Sequence, residues 1–255
     1  GRMWYENDKF NEDRRYYANT AAAALDPYVI PSNPFRTDWA FNYTEKTLQW
    51  FAQDTITVSP RLTVNVGFKS PRVDVTGNET TGANYPSGTI TSKKSFLPQV
   101  GMVYKLDQSN ELFAGIAQNM RALYTQPFST TQAGFAAIQG NLRPETSTTY
   151  EGGWRFHGDK LDGVLSLYHV DFYDRLLSIS SGPGIVGSPS VLANVGKVES
   201  TGLDLGLNWK KARTWSWFNA FSLNSTEYKD NYVDGATTRY VSGKQVVGVP
   251  KQTFK

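Results

Sequence analysis

Period-two chemistry constrains this chain more than any other feature. From Leu62 to Lys69 every even-numbered residue is apolar (Leu62, Val64, Val66, Phe68) and every odd-numbered one is polar or glycine (Thr63, Asn65, Gly67, Lys69). Successive side chains of an extended strand leave on opposite faces, so this order makes one oily face and one wet face. The same order returns in Val100, Met102 and Tyr104 against Gln99, Gly101 and Lys105. It returns again in Tyr150, Trp154 and Phe156 against Thr149, Glu151, Arg155 and His157, and in Leu203, Leu205, Leu207 and Trp209 against Asp204, Gly206, Asn208 and Lys210. Segments 46–58, 161–179 and 215–223 carry apolar residues on both faces, as where Leu165 and Leu167 oppose Val164, Tyr168, Val170 and Phe172. Period alone leaves the phase of those three open.

The connections between strands come in two kinds. Ser59-Pro60-Arg61, Asp107-Gln108-Ser109-Asn110, Gly158-Asp159-Lys160 and Lys211-Ala212-Arg213-Thr214 are short and rich in turn-forming or charged residues. Between them run long stretches of Gly, Ser, Thr, Asn and Pro, from about Asn11 to Tyr43, Gly77 to Thr91, Ala122 to Arg143, Ser180 to Leu192 and Lys229 to Ser242. Strict alternation puts every short turn at one end of a sheet and every long loop at the other. Soluble sandwiches show no such alternation, and their strands average about five or six residues. The strand patterns here run to about a dozen, the length of a membrane-crossing strand.

Composition bears on which membrane architecture is open. The chain has 255 residues, 39% hydrophobic, 14% aromatic and 19% charged, with a formal net charge of +3. No stretch approaches the roughly 18 to 20 consecutive apolar residues of a transmembrane helix; the longest run of small apolar residues is Ala21 to Leu25. A barrel escapes that test because only alternate residues meet lipid. With no cysteine there is no disulfide framework and no thiolate ligand or nucleophile. Lys and Arg are scattered and form no basic stripe for nucleic acid, and neither a metal-ligand spacing nor a phosphate-binding glycine motif is present.

Aromatic and proline positions fit an all-β, antiparallel, up-and-down transmembrane barrel. Trp154, Phe156, Trp209, Trp215 and Trp217 flank the short turns at Gly158 and Ala212, where headgroup girdles form. Pro71, Pro98, Pro144 and Pro250 fall toward the long-loop ends of their strands. There a missing ladder donor can be replaced by water.

Several motifs in order carry a family resemblance. They are Phe51-Ala52-Gln53-Asp54 before the Leu62–Phe68 strand, then Phe96-Leu97-Pro98-Gln99-Val100-Gly101. Next comes Asn141-Leu142-Arg143-Pro144-Glu145-Thr146-Ser147 leading to Tyr150-Glu151-Gly152-Gly153, and last Asn194-Val195-Gly196 before Gly202-Leu203-Asp204. Together they resemble the barrel of TonB-dependent outer-membrane receptors, and Gly1-Arg2-Met3-Trp4-Tyr5-Glu6-Asn7-Asp8 resembles a strand of the iron-chelate branch. Asp204 departs from the glutamate more usual there but keeps the charge. The resemblance implies that residues 1–255 form part of one barrel domain, about ten of about 22 strands. A plug domain, a TonB-engaging segment and the C-terminal strands would lie outside them.

The resemblance implies energised import of a scarce nutrient across a Gram-negative outer membrane, foremost a ferric siderophore, with cobalamin or an oligosaccharide as the other substrates of this fold. Its partners would be the TonB–ExbB–ExbD complex, the substrate and outer-membrane lipid. No cofactor or protein-held metal is expected, since iron would arrive inside its chelator. Anionic chelates call for Arg donors and planar ligands for aromatic faces, so the candidate ligand contacts are Trp39, Tyr85, Arg121, Tyr124, Phe128, Arg143 and Arg175. Glu151, Arg155, Asp204 and Lys210 share the polar phase and are expected to face the lumen or the plug. A porin is one alternative. Another is an outer-membrane protease using His169 and Asp171, which share a strand face and are otherwise expected to look into the lumen. No second acidic cluster is evident on a neighbouring strand.

Overall fold

The computed structural model describes residues 1–14, 36–81, 86–128, 132–180, 190–212, 215–234 and 237–255. Its strands are β1 (Arg2–Arg14), β2 (Arg36–Thr57), β3 (Leu62–Thr81), β4 (Gly88–Lys93), β5 (Leu97–Lys105), β6 (Asn110–Arg121), β7 (Glu145–His157) and β8 (Leu161–Tyr173). They continue with β9 (Leu176–Ser180), β10 (Ser190–Asn194), β11 (Val198–Ala212), β12 (Trp215–Tyr228), β13 (Tyr232–Asp234), β14 (Thr237–Arg239) and β15 (Gln252–Phe254). One antiparallel sheet runs in the spatial order β1-β2-β3-β5-β6-β7-β8-β11-β12-β15, with β4 added to β3. Neighbours in space are neighbours in sequence apart from the inserted hairpins, the meander that alternating turns demand.

Register settles what periodicity left open. Ile56, Val64, Met102, Ala114, Gly152, Leu167, Leu203 and Leu223 form one row across eight strands. One residue along, Thr55, Asn65, Gly101, Gly115, Glu151, Tyr168, Gly202 and Asn224 form the adjacent row on the other face. The sheet therefore has an apolar face and a polar face throughout. Trp50 and Ile56 of β2, Leu165 and Leu167 of β8, and Trp217, Phe221 and Leu223 of β12 all fall on the apolar one. His169 and Asp171 keep step with Leu167, so they project from the apolar side and not into the lumen. That corrects the sequence expectation, and its cause is that Val164, Tyr168 and Val170 give the lumenal face of β8 a misleading apolar character.

Each tight turn is closed locally. Ser59 Oγ accepts from the Arg61 and Leu62 amides at 3.3 and 3.1 Å. Asp107 Oδ1 accepts from the Ser109 and Asn110 amides at 2.7 and 2.8 Å, and the Gly158 amide donates to Leu161 O at 2.9 Å. In the last turn Ala212 pairs with Trp215, and residues 213 and 214 lie outside the described residues. Beside these turns Trp154 and Phe156 lie with ring centres 6.0 Å apart, and Trp209 and Trp215 at 6.4 Å.

The long connections depart from the sequence reading, which treated them as irregular. β1 and β2 pair as far as Arg14 and Arg36, β4 folds back on β3, and β9–β10 and β13–β14 are hairpins of their own. The 122–143 connection holds a 3-10 turn (Gln126–Phe128) and helix α1 (Gln132–Gln139). Both press onto the polar-face side of the long-loop end, where Phe41, Val73, Val75, Ile90, Leu123, Phe128, Phe135 and Leu176 make a buried cluster. Gly77 and Gly88 face each other beneath it. A Cβ on Gly77 would come within 2.7 Å of the Phe128 ring, and one on Gly88 within 2.7 Å of Phe135. The missing side chains are what admit the two stacked rings, 4.8 Å apart.

Candidate functional site at the long-loop rim

Where β6, β7 and the β8–β9 junction meet on the polar face, a buried carboxylate gathers cations. Glu145, 4% exposed, accepts from Arg175 Nη1 at 2.6 Å and from the Leu176 amide at 2.9 Å. Arg121 Nη1 stands 3.8 Å from the same carboxylate and donates to Leu176 O at 3.3 Å. The Arg175 guanidinium also lies over the Phe172 ring at 4.4 Å. Two guanidinium groups on one carboxylate leave an excess of positive charge, and the outer part of Arg121 is open to solvent.

Asn194 fastens the neighbouring chain. Its amide donates to Arg143 O at 3.0 Å and to Asp174 O at 2.7 Å, while its oxygen accepts from the Arg143 amide at 3.0 Å. Asp174 holds a positive φ of 52° at this corner, an arrangement Asp tolerates better than most residues. The Arg143 side chain, spared by these main-chain bonds, is exposed. Tyr124 is also exposed, and partial burial together with the negative charge of Glu45 pushes its hydroxyl pKa up. Arg121, Tyr124, Arg143 and Arg175 thus share one neighbourhood.

Of the other three candidates, Phe128 does not join them. Phe128 is 0% exposed at the centre of the aromatic cluster and offers no surface to a ligand. Its burial between Phe41, Tyr43 and Phe135 is the physical reason, which the loop sequence could not show. Trp39 lies on β2 opposite Glu12, well along the extension. Tyr85 is outside the described residues.

Glu151, Arg155, Asp204 and Lys210 lie on the polar face but do not pair with one another. Arg155 pairs with Glu111 across β6–β7, and Lys210 with Asp162 at 2.5 Å across β11–β8. Asp204 stands between Ser166 and Ser222, and Glu151 between Gly115 and Tyr168. The wall is charged and largely self-neutralised near the tight turns.

His169 and Asp171 do approach each other, at 3.6 Å, and the imidazole Nδ1 lies 2.8 Å from Thr201 Oγ1. Glu199 sits directly opposite Asp171, so a second carboxylate is present after all, contrary to expectation. Lys197 stands 3.0 Å from Asp171 and 2.7 Å from Glu199, and Lys229 stands 2.9 Å from Glu199. These carboxylates are occupied by lysines on the face that meets lipid, a poor place to activate water for a substrate in the lumen.

Sequence reasoning missed Glu145 and Asn194 as organisers of the rim. The signal was present, since both stand in the motifs that carry the family resemblance. Their partners are 30 or more positions apart for Glu145 and Arg175, and 51 for Arg143 and Asn194.

A meandering antiparallel sheet with one continuous apolar face, aromatic bands beside short turns and a polar inner face is the wall of a transmembrane β-barrel. The family model for the β-barrel of TonB-dependent receptor-like proteins matches residues 2–255, and the chain belongs to that family, whose members lie in the Gram-negative outer membrane. It is 25% identical over 245 residues to the pesticin receptor of Yersinia enterocolitica, covering 92% of this chain and 35% of that protein. It is 21% identical over 224 residues to the probable TonB-dependent siderophore receptor PiuA of Acinetobacter baumannii, covering 83% and 29%. Among solved structures, the unliganded ferric citrate transporter FecA superimposes with a TM-score of 0.67 at 20% identity, over 99% of this chain and 35% of that one. The Acinetobacter baumannii siderophore receptor PiuA does so at 0.64 and 17% identity, over 87% and 31%. The chain spans about a third of the length of the relatives it matches.

Proposed function

We propose that these residues form part of the barrel wall of a receptor that captures a ferric siderophore at its outer rim and imports it. Energy would come from the TonB–ExbB–ExbD complex acting through a plug and an N-terminal segment outside the 255 residues. The observation that carries this reading is the match of the whole chain to the receptor barrel together with relatives named as siderophore receptors. The rim supports it chemically, because Arg121, Arg143 and Tyr124 present exposed donors and a ring beside a net positive carboxylate cluster. Arg175 is mostly committed to Glu145 and serves to position the rim.

The protein acts by binding and transport, with iron as cargo inside its chelator. In the complete receptor, Arg121→Ala with Arg143→Ala should lower uptake of a radiolabelled ferric chelate by about tenfold or more under iron limitation, the effect of losing charge-assisted contacts. Receptor abundance in the outer membrane should not change. Unaltered iron uptake, with loss of cobalamin or oligosaccharide uptake instead, would replace the siderophore by one of those substrates. His169→Ala should leave uptake intact and abolish no peptide cleavage.

A further inference from the structure

The apolar face of the sheet ends in two differently charged borders, and one of them is free to bind. On β3 the outward residues Leu62, Val64, Val66 and Phe68 are apolar, Ser70 is polar, and Arg72 and Asp74 follow. On β2 the outward series runs from Ile56 back through Trp50 and Leu48 to Lys46. A barrel strand crosses the hydrocarbon in about 9–11 residues. Arg72 and Lys46 lie just beyond that length from the turn at 59–61, at the level of outer-leaflet head groups.

Cross-strand register assembles the border. Met3, Leu48, Arg72 and Lys93 make one outward row across β1–β4, and Tyr5, Lys46, Asp74 and Thr91 make the next. Exposed Trp50 lies one row nearer the membrane centre, and exposed Phe96 stacks on Phe68 at 5.2 Å two rows nearer it. Asp74 is the only acid in the two rows. Its oxygens accept from Arg72 Nε at 2.9 Å and Thr91 Oγ1 at 2.6 Å, and the arginine holds its carboxyl below the usual range. Among the described residues Arg72 uses only Nε, which leaves its two terminal nitrogens. Lys46 and Lys93 are exposed and have no ion pair among the described residues.

The far border at β8, β11 and β12 is different. There Lys197 and Lys229 are bound to Asp171, Glu199 and Glu227, and the two lysines hold Glu199 down to about 2. There the lysines are ion-paired, whereas the two border rows across β1–β4 carry three cations against one anion.

We propose that Lys46, Arg72 and Lys93 form an outward-facing site for the phosphate groups of an outer-leaflet glycolipid. Asp74 and Thr91 orient Arg72 so that its free edge faces the lipid. The site rests on the outer-membrane reading only for its height, and insertion of the barrel is checked separately by fractionation and by heat-dependent gel mobility.

The test uses the complete receptor in detergent, with bisphosphorylated lipid A added and retention read by native mass spectrometry. Lys46→Gln, Arg72→Gln and Lys93→Gln together should weaken retention by about fivefold per cation removed. Lys197→Gln with Lys229→Gln should change it little. Asp74→Asn should tighten retention, a gain that misfolding cannot mimic. Dephosphorylated lipid A should be retained equally by all variants, and inorganic phosphate at matched ionic strength should not displace the lipid. Equal retention by the wild type and the triple variant, an equal loss in the β8–β12 variant, or displacement by inorganic phosphate would each overturn the site. An inserted barrel with no retention also overturns it while leaving the receptor reading intact.

Discussion

Two carboxylates show how single residues govern the two ends of this wall. Glu145 is buried and holds a guanidinium and a backbone amide, so removing it strands Arg175 without its main partner. Breaking a buried pair from one side costs about 3–5 kcal/mol, and losing only the charge about 1–3 kcal/mol. Glu145→Ala should therefore speed hydrogen exchange at the Leu176 amide far more than Glu145→Gln; equal protection in both would show that Glu145 does not anchor the junction. Asp107 works at the opposite end, where hydrogen bonds from Asn110 and the Ser109 amide keep its carboxyl below the usual range. A carboxyl depressed by folding stabilises the turn above its unfolded pKa of about 3.9 and loses that contribution as pH falls through the folded value. Protection of the Ser109 and Asn110 amides, taken relative to their intrinsic exchange rates, should fall below about pH 4 in the wild type, and Asp107→Asn should remove that acid dependence.

At the scale of strands, much was legible because alternation needs no partner to be seen. The clean strands β3, β5, β7 and β11 carry their face in the sequence itself. The face of β8 does not, because lumenal Val164, Tyr168 and Val170 resemble lipid contacts until Leu165 and Leu167 are seen beside Trp154 and Gly152. The hairpins within the long connections were hidden for a related reason. Thr89 and Thr91 read as loop residues until pairing with β3 supplies Thr76 and Asp74. The rim was half legible: Arg121, Arg143 and Arg175 were visible as charges, but burial of Phe128 depends on two glycines in other segments. The face assignment has a direct test in Met102, which lies between Val64 and Ala114. Met102→Lys should destabilise the barrel by about 2–4 kcal/mol. Asn65→Lys, on the polar face, should cost far less, little beyond the one hydrogen bond from Thr55. Val66 is a weaker probe, since Asp54 lies opposite it and can take up an added ammonium. Comparable destabilisation at Met102 and Asn65 in a urea unfolding series would refute the assignment.

For the molecule as a whole, the two kinds of connection become an orientation. Short turns belong on the periplasmic side and long loops outside, which sets the Arg121–Glu145–Arg175 rim on the outer side and the Asp107 turn toward the cell interior. The same orientation gives the charged borders of the apolar face their height, so the rim and the lipid-facing cations stand or fall with it. Because this sequence contains no cysteine, single thiols can report on it cleanly. In the complete receptor in intact cells, a charged, membrane-impermeant maleimide should label Thr76→Cys, which lies outward beyond the apolar band. Gln108→Cys, in a tight turn, should react only once the outer membrane is permeabilised. Leu203→Cys, between Leu167 and Leu223 on the apolar face, should resist the reagent in both conditions and react only after unfolding. Labelling is read on the peptide that carries each new thiol, so other cysteines of the receptor do not interfere. Reaction of Gln108→Cys in intact cells as fast as Thr76→Cys would invert the barrel and move the candidate rim to the periplasmic side.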